Sequence, residues 1–285
     1  MSKSTFKGWQ RILILIIPYF IVVGIFQFVG AYIVGIDMME LEDEPIQKSS
    51  FQHLVMIKFT LIGTLLLLWF FMVNIDRSPF KDLGFDTHKR LKDFNIGMLI
   101  GLIIMTTIAS ILLIMGEVYI TSVDFNLLEV LMTILIFTSV SIVEETLIRG
   151  YLLRNMMLSF NKYVALILSS VLFSLLHAGN PNTTNLGLLN LFLAGVLLGV
   201  PYLYTKNLWL PIGLHLSWNL FQSLLGFNVS GQNTYSIIEL DYLAENAING
   251  GAFGIEGSYL SIIAQILTIT WLIWYFEGKT NTAAR

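Results

Sequence analysis

Carboxylates in apolar surroundings are the first residues of this sequence whose types and spacing could do chemistry. Glu144 and Glu145 follow the apolar run 127–143, and Arg149 comes one helical turn later. Ionisable side chains at membrane depth cost several kcal/mol and therefore mark functional sites by default. The stretch SIVEETLIRGYLLRN is accordingly the first candidate site.

Helical spacing separates the two carboxylates. Successive helical residues diverge by about 100°, whereas residues four apart share a face. The spacing predicts that Glu145 and Arg149 pair as a buried salt bridge that fixes the helix. Glu144 then points elsewhere without a local cation, and a carboxylate of that kind suits general-base chemistry near neutral pH.

Imidazole and amide groups occur on two later apolar segments. Phe173 and His177 are four residues apart, as are His215 and Asn219, so each pair shares a helix face. A water held between Glu144 and His177 could lose a proton and attack a carbonyl carbon. The His215–Asn219 pair could then donate hydrogen bonds to the developing oxyanion.

Structural roles are the alternative for each of these groups taken alone. A single intramembrane histidine is more often a structural hydrogen bonder, and a Glu–Arg pair is more often architectural. An asparagine can simply join two membrane helices. Polar groups on three consecutive apolar segments are less easily explained by chance than any one of them alone. Together they favour a shared site. His53 and His88 lie at or beyond segment ends, where a solvated role is expected.

Membrane helices are the elements that must position these side chains. The chain has 285 residues, of which 55% are hydrophobic and 12% charged, and a mean hydropathy of +0.74. A soluble domain carries about 25% charged residues. The net charge of -3 gives no basic surface for nucleic acid, and the absence of cysteine excludes disulfides, thiolate metal sites and a cysteine nucleophile. The first apolar run has about 25 residues, too many for a cleaved signal, so a retained helix is expected.

The predicted fold class is an all-α, polytopic membrane bundle of about eight transmembrane helices. Several apolar runs are long enough to cross roughly 30 Å of hydrocarbon, and no soluble domain fits between them. We divide the chain into three N-terminal spans (1–125), a core of four spans (126–228), and an extracytoplasmic loop with the last span (229–285). The predicted spans are 12–36, 54–74, 95–115, 127–150, 163–179, 186–204, 209–227 and 258–276.

Basic residues predict the orientation of the helices, because Lys and Arg concentrate in cytoplasmic loops. With eight spans, nearly all of them fall on one side, which places both termini in the cytoplasm. The opposite side receives acidic or neutral loops, apart from Lys48. It also receives segment 228–257, where a surface helix at 236–247 or a flexible lid is expected. The residues on the cytoplasmic side are Lys3, Lys7, Arg11, Arg77, Lys81, Lys89, Arg90, Lys92, Arg154, Lys162, Lys206, Lys279 and Arg285.

Three motifs in order resemble the CAAX-processing and bacteriocin-processing intramembrane protease family, also called CPBP or Abi. EETLIR (144–149) matches its EExxxR motif, FSLLH (173–177) its FxxxH motif and HLSWN (215–219) its HxxxN motif. The similarity covers about 127–227, and DLGF (82–85) is common in bacterial members. The resemblance implies an intramembrane endopeptidase of the bacterial cytoplasmic membrane, in contact with lipid and acting on a membrane-tethered peptide or protein. The small loops look like the bacterial type, so a prenylated substrate is not expected.

The resemblance also assigns roles to residues. In the family, the first motif glutamate and the FxxxH histidine activate the water, and the HxxxN pair is proposed to stabilise the oxyanion. The catalytic residues are then Glu144, His177, His215 and Asn219, with Glu145, Arg149 and Phe173 in support.

A metal cofactor and a non-enzymatic role stay open at this point. Glu144, His177 and His215 form a recognised zinc ligand set, and the family is often labelled metalloprotease. The HExxH helix of soluble zinc proteases is absent, so we favour a mechanism without catalytic zinc and expect no other cofactor. The alternative function is an immunity or scaffold protein, or a transporter, that retains the motif, since buried Glu and His also serve proton relays. The lack of an evident inverted repeat counts against a transporter.

Overall fold

The computed structural model describes residues 4–36, 49–88 and 90–283, and within them the chain forms eight long helices and one two-stranded sheet. This confirms the predicted all-α membrane fold. The helices are α1 (Gly8–Ile33), α2 (Ser50–Asp76), α3 (Leu91–Met115), α4 (Leu127–Met157), α5 (Lys162–Leu176), α6 (Asn185–Thr205), α7 (Trp209–Leu224) and α8 (Tyr259–Ala283). The strands are β1 (Val118–Val123) and β2 (Ile238–Tyr242).

Six of the described helices are long and apolar enough to cross a membrane, and the two others are α5 and α7. The 15 residues of α5 make a helix of about 22 Å, which is shorter than roughly 30 Å of hydrocarbon. Most of α7 is buried by its neighbours instead of facing lipid. Transmembrane crossing is therefore supported for six helices and stays a prediction for α5 and α7.

The sheet corrects one expectation from the sequence. A surface helix was expected at 236–247, but Ile238–Tyr242 is an antiparallel partner of β1, with Val118 opposite Tyr242. Its sequence, IELDY, alternates apolar and acidic residues, and its burial alternates with it. A period of two residues is that of a strand, not of a helix.

The segment after β2 folds back onto the helices and does not form a detached lid. Phe253 and Ile255 are buried at 1% and 0% exposure. The ring of Phe253 packs on the backbone of Gly187 at the start of α6, and its carbonyl accepts a hydrogen bond from the N–H of Gly231. Residues 253–258 are thus part of the packed interior at this end of the bundle.

A buried carboxylate joins three helices at the opposite end of the bundle. Asp76, the last residue of α2, accepts hydrogen bonds from Arg11 at 2.9 Å and from Arg154 at 3.1 Å. The start of α1 and the ends of α2 and α4 therefore lie at the same end of the bundle, as the distribution of basic residues requires. Some residues on which the predicted orientation depends lie outside the described part of the chain, namely Lys3, 37–45, Lys48, Lys89 and Arg285.

Close packing of α3 against α7 fixes the helix that carries the HLSWN motif. A Cβ atom on Gly97 would lie 2.6 Å from the backbone nitrogen of Leu214 and even closer to the carbonyl oxygen of Leu210. A Cβ atom on Gly213 would likewise meet the carbonyl of Phe94. Small residues at such crossings let membrane helices approach closely, so α7 is held by backbone contact.

The Gly97→Ala variant is expected to lose about 1–3 kcal/mol of stability, because the added methyl group must push α7 away from α3. Gly24→Ala is the matched control, since a Cβ atom there meets nothing within 4 Å. Denaturation in mixed micelles should leave the control within about 1 kcal/mol of wild type. Equal stability of the two variants would contradict the proposed tight crossing.

Candidate active site

A cavity of about 450 Å³ within the bundle contains all four residues predicted to be catalytic. Glu144, His177, His215 and Asn219 line it, and they come from α4, the end of α5, and α7. Most of the remaining wall is apolar and is contributed by α1, α2, α4, α5, α6 and α7. The sequence motifs thus meet at one cavity.

The helix α4 changes geometry directly after the two glutamates. Residues Thr146–Leu153 form a π-helical segment of eight residues. Such segments are rare and are frequently found at functional sites. Arg149 lies in this segment, and its guanidinium is brought to Glu145 while the helix continues to Met157.

The predicted salt bridge is present. Arg149 Nη1 donates to Glu145 Oε1 at 2.7 Å, and both side chains are almost fully buried. Arg149 Nη2 also donates to the carbonyl of Gly195 on α6 at 3.2 Å, and the guanidinium lies 4.5 Å from the ring centre of Phe173 on α5. This single side chain therefore holds three helices together.

Three polar atoms converge at the centre of the site. Glu144 Oε2 lies 3.7 Å from His177 Nε2 and 3.8 Å from His215 Nε2. These distances are too long for direct hydrogen bonds, and gaps of this size are commonly bridged by water. Glu144 Oε2 is buried and has no hydrogen-bond partner among the described residues. The three atoms are arranged so that one small polar molecule could contact them together.

The hydrogen bonds at the far side of each imidazole fix its tautomer. His177 Nδ1 is 2.8 Å from the carbonyl oxygen of Phe173, which can only accept, so Nδ1 carries the hydrogen. His215 Nδ1 is 2.8 Å from Glu145 Oε1, and the same assignment follows when that group is a carboxylate. In the neutral rings, both Nε2 atoms are therefore acceptors that face Glu144.

Glu145 does not stand apart from the site, contrary to the expectation from helical spacing. Its Oε1 accepts hydrogen bonds from both Arg149 and His215, so the two adjacent carboxylates belong to one network that His215 joins. Spacing along α4 describes only the neighbours within that helix. The approach of α7 between the two carboxylates could not be derived from it.

His177 also differs from its predicted place. It was expected inside the span 163–179, but α5 ends at Leu176 and His177 caps the helix. Its ring stacks at a tilt on Phe173, with 4.7 Å between the ring centres. The FSLLH motif therefore presents its histidine from a helix end at the depth of Glu144.

Several cavity residues could not be predicted from the sequence motifs, among them Tyr19 and Glu256. Tyr19 of α1 lines the cavity, and its hydroxyl is 3.4 Å from Thr64 Oγ1. Glu256, from the segment before α8, lines it as well and is bound by Ser230. Neither residue belongs to a motif, and the only signal for Glu256 was an acidic residue in the glycine-rich stretch GGAFGIEG.

The zinc alternative finds no support in the geometry. Within the described part of the chain, no group of three or more His, Cys, Asp or Glu side chains is arranged to hold a metal ion. The proposed mechanism therefore uses no zinc.

Comparison with known proteins points to one family. Residues 126–221 match the family model described as Rce1-like, type II CAAX prenyl endopeptidase. The matched region runs from the start of α4 into α7 and includes the three motifs. Comparison with curated proteins and with solved structures gave no match.

Proposed function

We propose, from the premise that residues 126–221 belong to the CPBP/Rce1-like family, that this membrane protein is an endopeptidase that hydrolyses a membrane-associated peptide or protein. Protease activity of the CAAX type is supported at the level of the family. The observation that carries the finer proposal is the convergence of Glu144 Oε2 with two imidazole Nε2 atoms at 3.7 and 3.8 Å inside a cavity.

The first step in the proposed mechanism is activation of water. A water molecule between Glu144 and His177 can donate one hydrogen to the carboxylate and the other to Nε2, because both atoms are acceptors. Its oxygen lone pair is then free to attack a peptide carbonyl carbon. As the new O–C bond forms, the carbonyl π electrons move to oxygen and one water proton passes to Glu144.

The tetrahedral intermediate then collapses with return of that proton. Glu144 protonates the amide nitrogen as the C–N bond breaks, which yields an amine and a carboxylic acid. The same carboxyl group thus acts first as base and then as acid, so it is regenerated. A carboxylate whose Oε2 accepts no hydrogen bond from the described residues is suited to this cycle.

His215 and Asn219 are proposed to stabilise the oxyanion. They lie four residues apart on α7 and both line the cavity. The Asn219 amide donates in any state, whereas His215 Nε2 donates only when the ring carries both protons. Glu145, at 2.8 Å from Nδ1, supplies the negative charge that balances such an imidazolium.

The apolar wall of the cavity and the lipid-facing helices suit a substrate that is tethered to the membrane. The family name refers to prenyl endopeptidases. Because most loops between the described helices are small, we propose a bacterial substrate without a prenyl group. We propose further that the site lies in the bacterial cytoplasmic membrane and that both chain termini are cytoplasmic.

The test of this function is comparative membrane peptidomics of cells with wild-type protein and with Glu144→Gln. A precursor should accumulate in the variant, and its cleaved form should appear only with wild type. The purified wild-type protein should then cleave that precursor in proteoliposomes. No difference between the two peptidomes would favour the non-enzymatic alternative of an immunity or scaffold protein, or a transporter.

The Asn219→Ala variant is expected to lower kcat about 10²–10³-fold and to change KM little, because the amide acts on charge that develops in the transition state. Steady-state kinetics in proteoliposomes measure both constants. Asn74→Ala, which removes an exposed amide from the end of α2, is the control and should match wild type. If KM instead rises by a similar factor while kcat is unchanged, Asn219 contributes to substrate binding and not to stabilisation of the oxyanion.

A further inference from the structure

A second carboxyl group lines the cavity besides that of Glu144. Glu256 is 7% exposed and belongs to the short turn Ile255–Gly257 just before α8. Ser230 donates two hydrogen bonds to Glu256 Oε2, from its backbone N–H at 2.5 Å and from its hydroxyl at 2.8 Å. The other oxygen, Oε1, makes no hydrogen bond to the described residues, and the side chain lines the cavity.

The backbone around this carboxyl group includes one residue in an unfavourable conformation and one position that only glycine can occupy. Ser230 has a φ of 49°, in the left-handed region that residues other than glycine seldom adopt. Gly254, two residues before Glu256, has a φ of 90°, and a Cβ atom there would collide with the carbonyl of Asn228. Strain of this kind persists where the surrounding structure fixes a functional group. The fold therefore fixes both partners of these hydrogen bonds, Ser230 and Glu256.

The protein supplies no fixed cation to Glu256. The described residues that line the cavity include three histidines but no Lys or Arg, and Glu256 takes part in no salt bridge within the described chain. Burial raises the pKa of the Glu256 carboxyl, against the hydrogen bonds from Ser230 and the charges of His177 and His215. The guanidinium of Arg149, which lies over the Phe173 ring in the cavity wall, is already bound to Glu145.

A buried carboxyl group without a cation is complementary to a positively charged ligand. Charge-assisted hydrogen bonds in dry surroundings are about twice as strong as neutral ones. A ligand cation would also remove the cost of an unpaired buried charge. The apolar cavity wall would meanwhile accept the aliphatic part of a basic side chain, which carries its charge only at the tip.

We propose that Glu256 determines specificity by binding a lysine or arginine side chain of the peptide beside the bond to be cleaved. This inference rests on the proposed function, because it identifies the substrate class of the same site. The two kinds of carboxyl group have separate tasks. Glu144 acts on water between the imidazoles, and Glu256 selects which peptide segment enters.

The test measures binding, not cleavage, with full-length protein in phosphatidylcholine nanodiscs. Two probes are compared by isothermal titration calorimetry, octanoyl-lysine amide and octanoyl-norleucine amide, which differ in the terminal ammonium group. Wild type is expected to prefer the lysine probe about tenfold. In Glu256→Gln the preference should fall to within about twofold, since the amide keeps the shape but loses the charge.

Control variants separate charge from structure. Glu245→Gln removes an exposed carboxylate from the same segment and should keep the full preference. Glu256→Asp retains the charge and should keep a preference that the amide variant lacks. If Glu256→Gln does not fold, the aspartate variant and Ser230→Ala carry the test. Ser230→Ala removes the hydroxyl hydrogen bond to Oε2, keeps the one from the backbone N–H, and should weaken the preference.

Equal binding of both probes to wild type, or an undiminished preference in Glu256→Gln, would overturn the assignment. Absence of binding by either probe would count against it as well. Failure of the proposed protease function would instead appear as unchanged cleavage by Glu144→Gln. Cleavage is not measured in this binding experiment. The two proposals therefore fail in separate experiments.

Discussion

Replacement of Glu144 by glutamine is expected to reduce kcat for peptide cleavage by about 10³-fold or more, while the protein still folds and inserts. The amide cannot take a proton from water, and general-base catalysis contributes about 10²–10⁴-fold in other enzymes. The change keeps the size of the side chain, and Glu144 Oε2 has no partner among the described residues that the substitution would break. The loss should therefore appear in kcat with little effect on stability.

The kinetic measurement uses proteoliposomes and a membrane-tethered peptide that wild type cleaves. Glu129→Gln is the matched control, since Glu129 lies on the same helix in its first turn, away from the cavity of Glu144. It should cleave at the wild-type rate. Activity of Glu144→Gln within about tenfold of wild type would show that another group activates the water.

Local sequence patterns were sufficient for the helices and for one ion pair. Long apolar runs predicted the six long spans, because length and hydropathy are properties of each segment alone. The spacing of Glu145 and Arg149 predicted their contact for the same reason, since four residues fix their relative position on one helix.

Features that depend on distant segments could not be derived in this way. The hydrogen bond between Glu145 and His215 joins residues 70 positions apart and is set by how α7 packs on α4. The pairing of β1 with β2 likewise depends on two segments that no local pattern connects. Glu256 reaches the cavity only because segment 243–258 folds back onto the helices. The three-part division of the chain is not tested by these contacts and stays a prediction.

The two adjacent glutamates have different proposed roles because each faces a different ring nitrogen of His215 on α7. Glu144 faces two Nε2 atoms across gaps of 3.7 and 3.8 Å. Glu145 binds Nδ1 of His215 on the opposite edge of the ring. His215 is thus oriented by one glutamate toward the other, and this orientation is a second reason, besides the salt bridge, for Glu145 to be in its place.

Replacement of Glu145 by leucine is expected to destabilise the protein by about 3–5 kcal/mol, because it leaves the guanidinium of Arg149 buried and unpaired. The double variant Glu145→Leu/Arg149→Met should recover at least about half of that loss, since it removes both charges and keeps similar volumes. Denaturation in mixed micelles gives the three free energies. Asp93→Leu, which breaks the partly exposed pair with Arg90, should cost only about 0–1 kcal/mol.

Activity of the same double variant distinguishes the two tasks of Glu145. If the residue only holds Arg149, a refolded and stable double variant should cleave normally. Because Glu145 also binds His215 Nδ1, we expect kcat to stay reduced about 10–10²-fold even where stability is recovered. Full recovery of both stability and kcat would show that the contact with His215 has no part in catalysis. If stability recovers but kcat does not, the salt bridge with Arg149 stabilises the fold and the contact with His215 supports catalysis. Both interactions use the same carboxylate oxygen, Glu145 Oε1.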